Sequence, residues 1–217
     1  MPVTFHRAAT PQEPTSVLRR WATRSARWTH LPTAMVGLCA ALAWPVGPAW
    51  AAALQAGEKT LTAHTRDGQA LTLGTLTLTD DGAGAWTYTL HLDHRQFTDH
   101  FLSMKEFKCL SGGGEVTCHV PYPYKNPHRV STTDLSWLEH DLLFLYKLPR
   151  EFGAKLWNGL YFQLKDDGQG RLVGTPQAVD LNRISSPPER QEVAPFRPAL
   201  RDDLPPGARW IESISIR

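Results

Sequence analysis

Alternating apolar and polar residues dominate the sequence over residues 58–92, and this period of two is typical of β-strands. In the segment AWTYTLHLD, Trp86, Tyr88, Leu90 and Leu92 occupy one face, and polar side chains occupy the other. Antiparallel sheets with one buried and one solvated face produce this pattern. The sequence therefore predicts a half-buried antiparallel strand here.

The preceding apolar run changes phase at Gly74. Leu71 and Leu73 have one parity, whereas Leu76 and Leu78 have the other. A β-bulge at the glycine would keep all four leucines on the core face, because a bulge adds one residue to one strand. An Asp-Gly pair upstream is a strong hairpin signal. We predict a hairpin whose second strand carries a bulge.

Later segments continue the strand pattern. The pair LYFQLK and RLVGTPQAVDL predicts a hairpin, with Pro176 at an edge or a bulge because proline cannot donate to a sheet. Capping residues predict a short helix over residues 133–139, and DLLFLYKLP is interpreted as a buried strand. The last segment, RWIESISIR, predicts a strand that can pair back to the first. The predicted fold is mainly β: an antiparallel β-rich single domain, as a meander, partly closed barrel or sandwich, with one or two short helices.

The first 51 residues have the features of an export signal. Arginines over residues 19–27 form a basic region, an apolar stretch follows, and AWA at residues 49–51 suits a signal peptidase. The apolar core of the stretch spans only residues 34–44, which is short of the roughly 20 residues that a membrane span needs. An uncleaved anchor is the alternative, and the sequence leaves the Sec and twin-arginine routes open. Cleavage is expected after Ala51 or Ala53.

Charge supports dividing the chain into a leader and a mature domain. The leader carries five basic residues and one acidic residue, whereas residues 52–217 hold 18 basic and 20 acidic ones. The mature part has no basic run that would suit nucleic acid. We divide it into a β-rich domain over residues 52–181, a Pro-rich charged connection over residues 182–208, and a C-terminal strand over residues 209–217.

Two cysteines remain once Cys39 leaves with the leader. In CLSGGGEVTC, folding the chain about Gly113 and Gly114 places Cys109 directly opposite Cys118. An even number of cysteines in an oxidising compartment favours a disulfide. A redox pair is the alternative, but it would normally use the spacing Cys-x-x-Cys at a helix N-terminus. The sequence predicts a structural disulfide that contributes about 3 kcal/mol.

Histidine and aspartate residues cluster in HLDHRQFTDH. These side chains could supply ligands to a divalent metal such as zinc, although their spacing matches no specific metal motif. The alternative is a solvated strand face followed by a polar turn, which requires no cofactor. The candidate ligands are His91, Asp93, His94 and His100.

Aromatic residues crowd the middle of the mature chain, around the proline-rich segment PYPYKNPH. Tyrosines held by prolines could line a groove for a peptide or a sugar, whereas ordinary packing is the simpler interpretation. Nucleophile elbows, phosphate loops and dinucleotide fingerprints are absent from the sequence, which lowers the expectation of an enzyme. The candidate ligand-binding residues are Tyr122, Tyr124 and Trp157.

The phrases FLSMKEFKCLSGGGEVTCHVPYPY, LSWLEHDLLFLYKLP and LWNGLYFQL together resemble a group of secreted proteobacterial proteins of uncharacterised function. The resemblance covers roughly residues 101–180, and it implies only a location in the bacterial envelope. We therefore expect a periplasmic or secreted, non-catalytic binding or envelope-associated module. Its partner would be a small molecule, a peptide or an envelope protein, with no nucleic acid and no transmembrane span after signal cleavage. The alternative is a metal-binding protein or a metal-dependent hydrolase.

Overall fold

The computed structural model describes residues 54–101, 104–184, 190 and 192–217. The predicted signal peptide lies outside the described residues. The described chain is mainly antiparallel β, and no helix in it is long and apolar enough to cross a membrane. One short α-helix, α1 (Ser136–Asp141), accompanies 3₁₀ turns at His94–Gln96, Leu181–Arg183 and Pro198–Leu200. The strands are β1 (Gly57–Thr65), β2 (Ala70–Asp80), β3 (Ala85–Leu92), β4 (Thr98–Asp99), β5 (Lys108–Gly112), β6 (Glu115–His119), β7 (Arg129–Ser131), β8 (Phe144–Lys147), β9 (Gly159–Asp166), β10 (Leu172–Val179), β11 (Arg201–Asp203) and β12 (Ile211–Ile216).

These strands form one curled sheet that resembles half of a barrel. Their order is β4-β5-β6-β8-β9-β10-β12-β1-β2-β3-β7, and β11 pairs with β10 outside this path. The last strand, β12, lies between β10 and β1, so it returns to the first strand as the sequence suggested. The predicted antiparallel β-rich fold is confirmed.

The β1–β2 hairpin contains the predicted bulge. Leu61 pairs with Gly74 while Thr62 pairs with Thr72, so Leu73 is the extra residue in β2. Leu73 is buried, as are the leucines at positions 76 and 78, and Leu71 packs against the same core. One inserted residue therefore keeps both halves of β2 facing inward, as predicted.

The β5–β6 hairpin has the predicted register. Cys109 pairs with Cys118, the two residues form a disulfide, and both are buried. Trp210 lies against the turn, where a Cβ atom at Gly112 would come within 2.0 Å of the indole ring. The turn therefore requires glycine for packing as well as for backbone conformation. β5 begins at Lys108, because residues 105 and 106 form a turn.

Two local predictions were wrong in detail. The helix begins at Ser136 rather than at residue 133, because Ser131 and Asp134 close a turn through backbone and side-chain hydrogen bonds. Pro176 is neither at an edge nor in a bulge. It pairs with Phe162 of β9, and it lies where β10 changes its other partner from β12 to β11. A gap between two partners accommodates proline as well as an edge does.

The segment expected as a surface connection also contributes to the core. Phe196 is fully buried, and its ring lies 6.1 Å from that of Tyr161 in β9. Leu200 packs against the same cluster, and β11 adds a strand beside β10. Side chains from the described part of this connection therefore pack into the hydrophobic core.

Candidate functional site

A cleft of about 420 Å³ opens beside β3, between that strand and the proline-rich loop after β6. β7 pairs with β3 only through Ala85–Thr87, so no described strand covers the rest of this edge. The N–H of Tyr88 donates across the edge to the carbonyl of His128, at 2.8 Å. Backbone N–H and C=O groups point to alternate edges of a strand in successive residues. The N–H and C=O of Leu90 therefore point to the same edge as those of Tyr88, into the cleft. The cleft is lined by Tyr88, Thr89, Leu90, His91, Leu92, His94, His119, Pro121, Tyr122, His128 and Asp141.

The carboxylate of Asp141, at the end of α1, is held by two donors. The Tyr88 hydroxyl donates to Oδ2 at 2.8 Å, and the Asn126 amide donates to Oδ1 at 2.7 Å. Burial raises the pKa of Asp141, and both hydrogen bonds oppose that shift. Burial also raises the pKa of Tyr88, so its hydroxyl remains protonated and can only donate to this carboxylate. Each carboxylate oxygen retains a further acceptor position.

His128 is held next to this carboxylate in an uncommon backbone conformation. Its φ of 49° is positive, which is rare for a residue other than glycine and often accompanies function. The Asn126 side chain stabilises the conformation, because its Oδ1 accepts the His128 N–H at 2.7 Å. His128 Nε2 lies 3.6 Å from Oδ2 of Asp141. One asparagine thus orients both the carboxylate and the imidazole.

His119 also lines the cleft, next to the backbone of Asp141. Its Nε2 donates to the backbone carbonyl of Asp141 at 2.8 Å, and its ring meets Phe144 edge-on. Burial lowers the pKa of this histidine, so the ring is neutral at pH 7. The residue directly follows Cys118, so the disulfide hairpin positions it.

The predicted metal-ligand set is not assembled. Asp93 caps the 3₁₀ turn and binds the Arg95 guanidinium, which lowers the pKa of Asp93 to about 2. His100 turns away and bonds to Ser111, so only His91 and His94 line the cleft. Among the described residues, no group of three or more histidine, cysteine, aspartate or glutamate side chains could hold a metal ion. The 3₁₀ turn that Asp93 caps lies between His91 and His100 in the chain. Sequence spacing alone does not reveal this turn.

The three aromatic candidates are also not assembled into one groove. Tyr122 lines the cleft, and its ring lies 5.4 Å from that of Tyr124, which is not part of the lining. Trp157 lies in the loop between β8 and β9 and is 63% exposed. The proline-rich loop therefore contributes to the site through Tyr122, together with Asn126 and His128.

His140 lies behind Tyr122, and the two ring centroids are 4.4 Å apart. The ring also meets Trp137 and Phe196, and the residue is fully buried. Neither ring nitrogen has a hydrogen-bond partner among the described residues. Burial, and to a smaller extent the charge of Arg201, lowers the pKa of His140 to about 4. A neutral, unpartnered imidazole thus supports one side of the cleft.

Most of the residues that form the site are not predicted as site residues by the sequence. Tyr88 was assigned correctly to the core face, but its hydroxyl reaches the cleft. Asn126 and Asp141 lie 15 residues apart in different elements, and neither belongs to a known motif. The only available signal was the density of histidine, tyrosine and acidic residues on both sides of the disulfide hairpin.

A larger cavity of about 780 Å³ lies near α1 and β9. Its buried charged groups are Glu139 and Arg201, which bind each other at 2.9 Å. Glu139 also accepts the N–H of Leu164, and Arg201 also donates to the carbonyl of Phe196. These groups are occupied within the fold, so this cavity is a weaker candidate than the cleft beside β3.

No protein-family model matches the chain, and no curated protein or solved structure is detectably similar to it. The family resemblance of residues 101–180 therefore stays a prediction.

Proposed function

We propose that this protein is an exported binding protein that holds an extended peptide in the cleft beside β3. The observation that carries the proposal is the open edge of β3, which borders the cleft next to the Asp141 carboxylate. An extended peptide can add to such an edge as a further strand, and main-chain hydrogen bonds then provide affinity. The backbone N–H and C=O of Leu90 would form hydrogen bonds with the peptide backbone.

Side chains of the cleft would select the peptide. Asp141 has its acceptor oxygens oriented by Tyr88 and Asn126, and 17% of its side chain is exposed. A lysine or arginine of the peptide would form a charge-assisted hydrogen bond with this carboxylate. The ring of Tyr122 also lines the cleft and adds aromatic surface for contact with the peptide. The preferred ligand is thus an extended segment with at least one basic side chain.

The metal-dependent alternative lacks support from the site. Its candidate ligands are dispersed, with Asp93 bound to Arg95 and His100 bound to Ser111. Peptide binding needs no metal, and it uses the groups that meet at the cleft: the edge of β3, the Asp141 carboxylate and aromatic rings. We therefore propose a non-catalytic role.

Peptide binding can be measured by fluorescence anisotropy with a labelled hexapeptide of alternating valine and lysine. We expect Asp141→Asn to weaken binding about tenfold to a hundredfold, because a charge-assisted hydrogen bond is lost. The matched control is Asp202→Asn, since Asp202 is exposed on β11. A peptide of alternating valine and glutamate should bind much more weakly than the lysine peptide.

Methylation of alternate peptide nitrogens tests the strand-addition step on the unaltered protein. It removes the donors that would pair with β3 while leaving the side chains in place, and we expect binding to be lost for one of the two methylation registers. Equal binding of both methylated peptides, or no binding of the lysine peptide, would contradict the proposal.

Export is the second part of the proposal, and the Cys109–Cys118 disulfide supports it, because such bonds persist in oxidising compartments. Mass spectrometry of the protein purified from its native envelope fraction should show an N-terminus at Ala52 or Leu54. An intact Met1 would show that the leader is not removed. A chain recovered only from the cytosol would overturn the export proposal.

A further inference from the structure

The loop between β8 and β9, residues 148–158, concentrates exposed apolar side chains. Leu148, Phe152, Leu156 and Trp157 are the large hydrophobic residues that are exposed within the described part of the chain. Phe152 is completely exposed. Single exposed apolar residues are common, but a cluster in one loop indicates an interaction surface. We call residues 148–158 the apolar loop.

The apolar loop is held in place by its own hydrogen bonds and by the sheet beneath it. The N–H of Leu148 donates to the Glu151 side chain at 2.9 Å, and Glu151 forms an ion pair with Lys155. The carbonyl of Leu156 accepts the N–H of Leu181 at 2.8 Å, which ties the loop to the next 3₁₀ turn. Ala154 packs against the core. The loop thus presents its aromatic side chains from a fixed base.

Two exposed arginines belong to the apolar loop and to the turn that it is tied to. Arg150 lies two residues before Phe152, and Arg183 lies in the 3₁₀ turn to which the loop is tied. Both are exposed, and neither forms an ion pair among the described residues. The nearby carboxylate of Glu151 is already paired with Lys155. Asp180 caps the same 3₁₀ turn, so the loop and the turn together carry three basic and two acidic residues, a net charge of +1.

Tryptophan and phenylalanine flanked by exposed arginine suit one kind of partner. Aromatic side chains favour the headgroup level of a bilayer, and basic residues are attracted to anionic lipids. We propose that the apolar loop inserts into the surface of an anionic phospholipid membrane. The proposal is independent of the peptide cleft, because the loop follows β8 and shares no lining residue with the cleft.

A fluorescent probe at one position tests insertion on the full chain. It reports only the surroundings of the loop, so lipid binding by the apolar leader does not affect the result. An environment-sensitive fluorophore is attached at Phe152→Cys in a Cys39→Ser background, and the matched control carries it at Lys165→Cys. Lys165 is exposed near the far end of β9, away from the loop. Vesicles contain phosphatidylcholine with about 30% phosphatidylglycerol. We expect emission at position 152 to shift to shorter wavelength and brominated lipids to quench it, whereas the probe at 165 stays in water.

Substitutions separate the apolar and the charged contributions. Phe152→Ala together with Trp157→Ala should weaken the binding of the unlabelled protein to vesicles at least about tenfold. The reason is that two large aromatic side chains are no longer available for burial in the membrane surface. Arg150→Glu should weaken binding to anionic vesicles, and Lys165→Glu should have a smaller effect. Raising the salt from about 0.05 M to about 0.5 M should weaken binding as well.

Several results would overturn the lipid proposal. A probe at position 152 that stays in water while the chain sediments with vesicles would show that another segment binds the lipid. Absence of vesicle binding would also contradict it. Concentration-dependent dimerisation that the double substitution abolishes, without lipid insertion, would identify a second copy of the chain as the occupant.

Discussion

Replacing Arg201 by methionine is expected to lower the free energy of unfolding by about 3–5 kcal/mol, because the substitution leaves a carboxylate buried without its counter-ion. The Arg201 and Glu139 side chains are 4% and 7% exposed, and they meet at 2.9 Å. Arg201 also stacks on the Tyr161 ring, with its guanidinium carbon 4.0 Å from the ring centroid. Urea unfolding followed by tryptophan fluorescence measures the loss.

Two controls assign this loss to the buried charge. The exposed pair Arg190 and Glu192 is the matched case, and Arg190→Met should cost less than about 1 kcal/mol. The double variant Arg201→Met with Glu139→Gln should recover part of the stability, since the uncompensated charge is gone. If the double variant is no more stable than Arg201→Met alone, lost packing rather than the buried charge accounts for the effect.

Acid should destabilise the wild-type protein through His140, and His140→Phe should remove that part of the pH dependence. The folded-state pKa is about 4, below the ordinary value of 6.5, so the unfolded chain binds more protons between these two values. The free energy of unfolding therefore falls as the pH drops from 6.5 to 4. The contribution is roughly 3 kcal/mol over that window.

The measurement compares urea unfolding of the wild type and His140→Phe at several pH values between about 7 and about 4. Subtracting the two curves cancels the titration of other groups, so the difference isolates His140. His100→Ala is the matched control, because it replaces a histidine whose side chain is exposed. A difference between wild type and His140→Phe that stays constant across this pH window would contradict the prediction.

Local patterns in the sequence predicted much of the sheet. Period-two alternation identified the inward face of β3, and the change of parity at Gly74 identified the bulge in β2. Symmetry about Gly113 and Gly114 paired Cys109 with Cys118. These inferences succeeded because each depends on residues that are close along the chain.

The candidate site was not predictable in the same way. Tyr88 and Asp141 form their hydrogen bond across 53 residues, and Tyr88 meets Asn126 across 38. These contacts join β3, the proline-rich loop and α1, which no local pattern brings together. His91 and His100, by contrast, are close in sequence but are separated by the 3₁₀ turn that Asp93 caps.

The strand faces, the bulge and the cysteine pairing follow from short stretches of sequence, because alternation and turn geometry act over a few residues. The order of the strands, the open edge of β3, and the meeting of Asp141 with Tyr88 and His128 are visible only in the folded chain. The same holds for the position of Trp157, which lies in the apolar loop and not in the cleft. Each of these features depends on contacts between segments that are distant along the chain, so no short stretch of sequence encodes it.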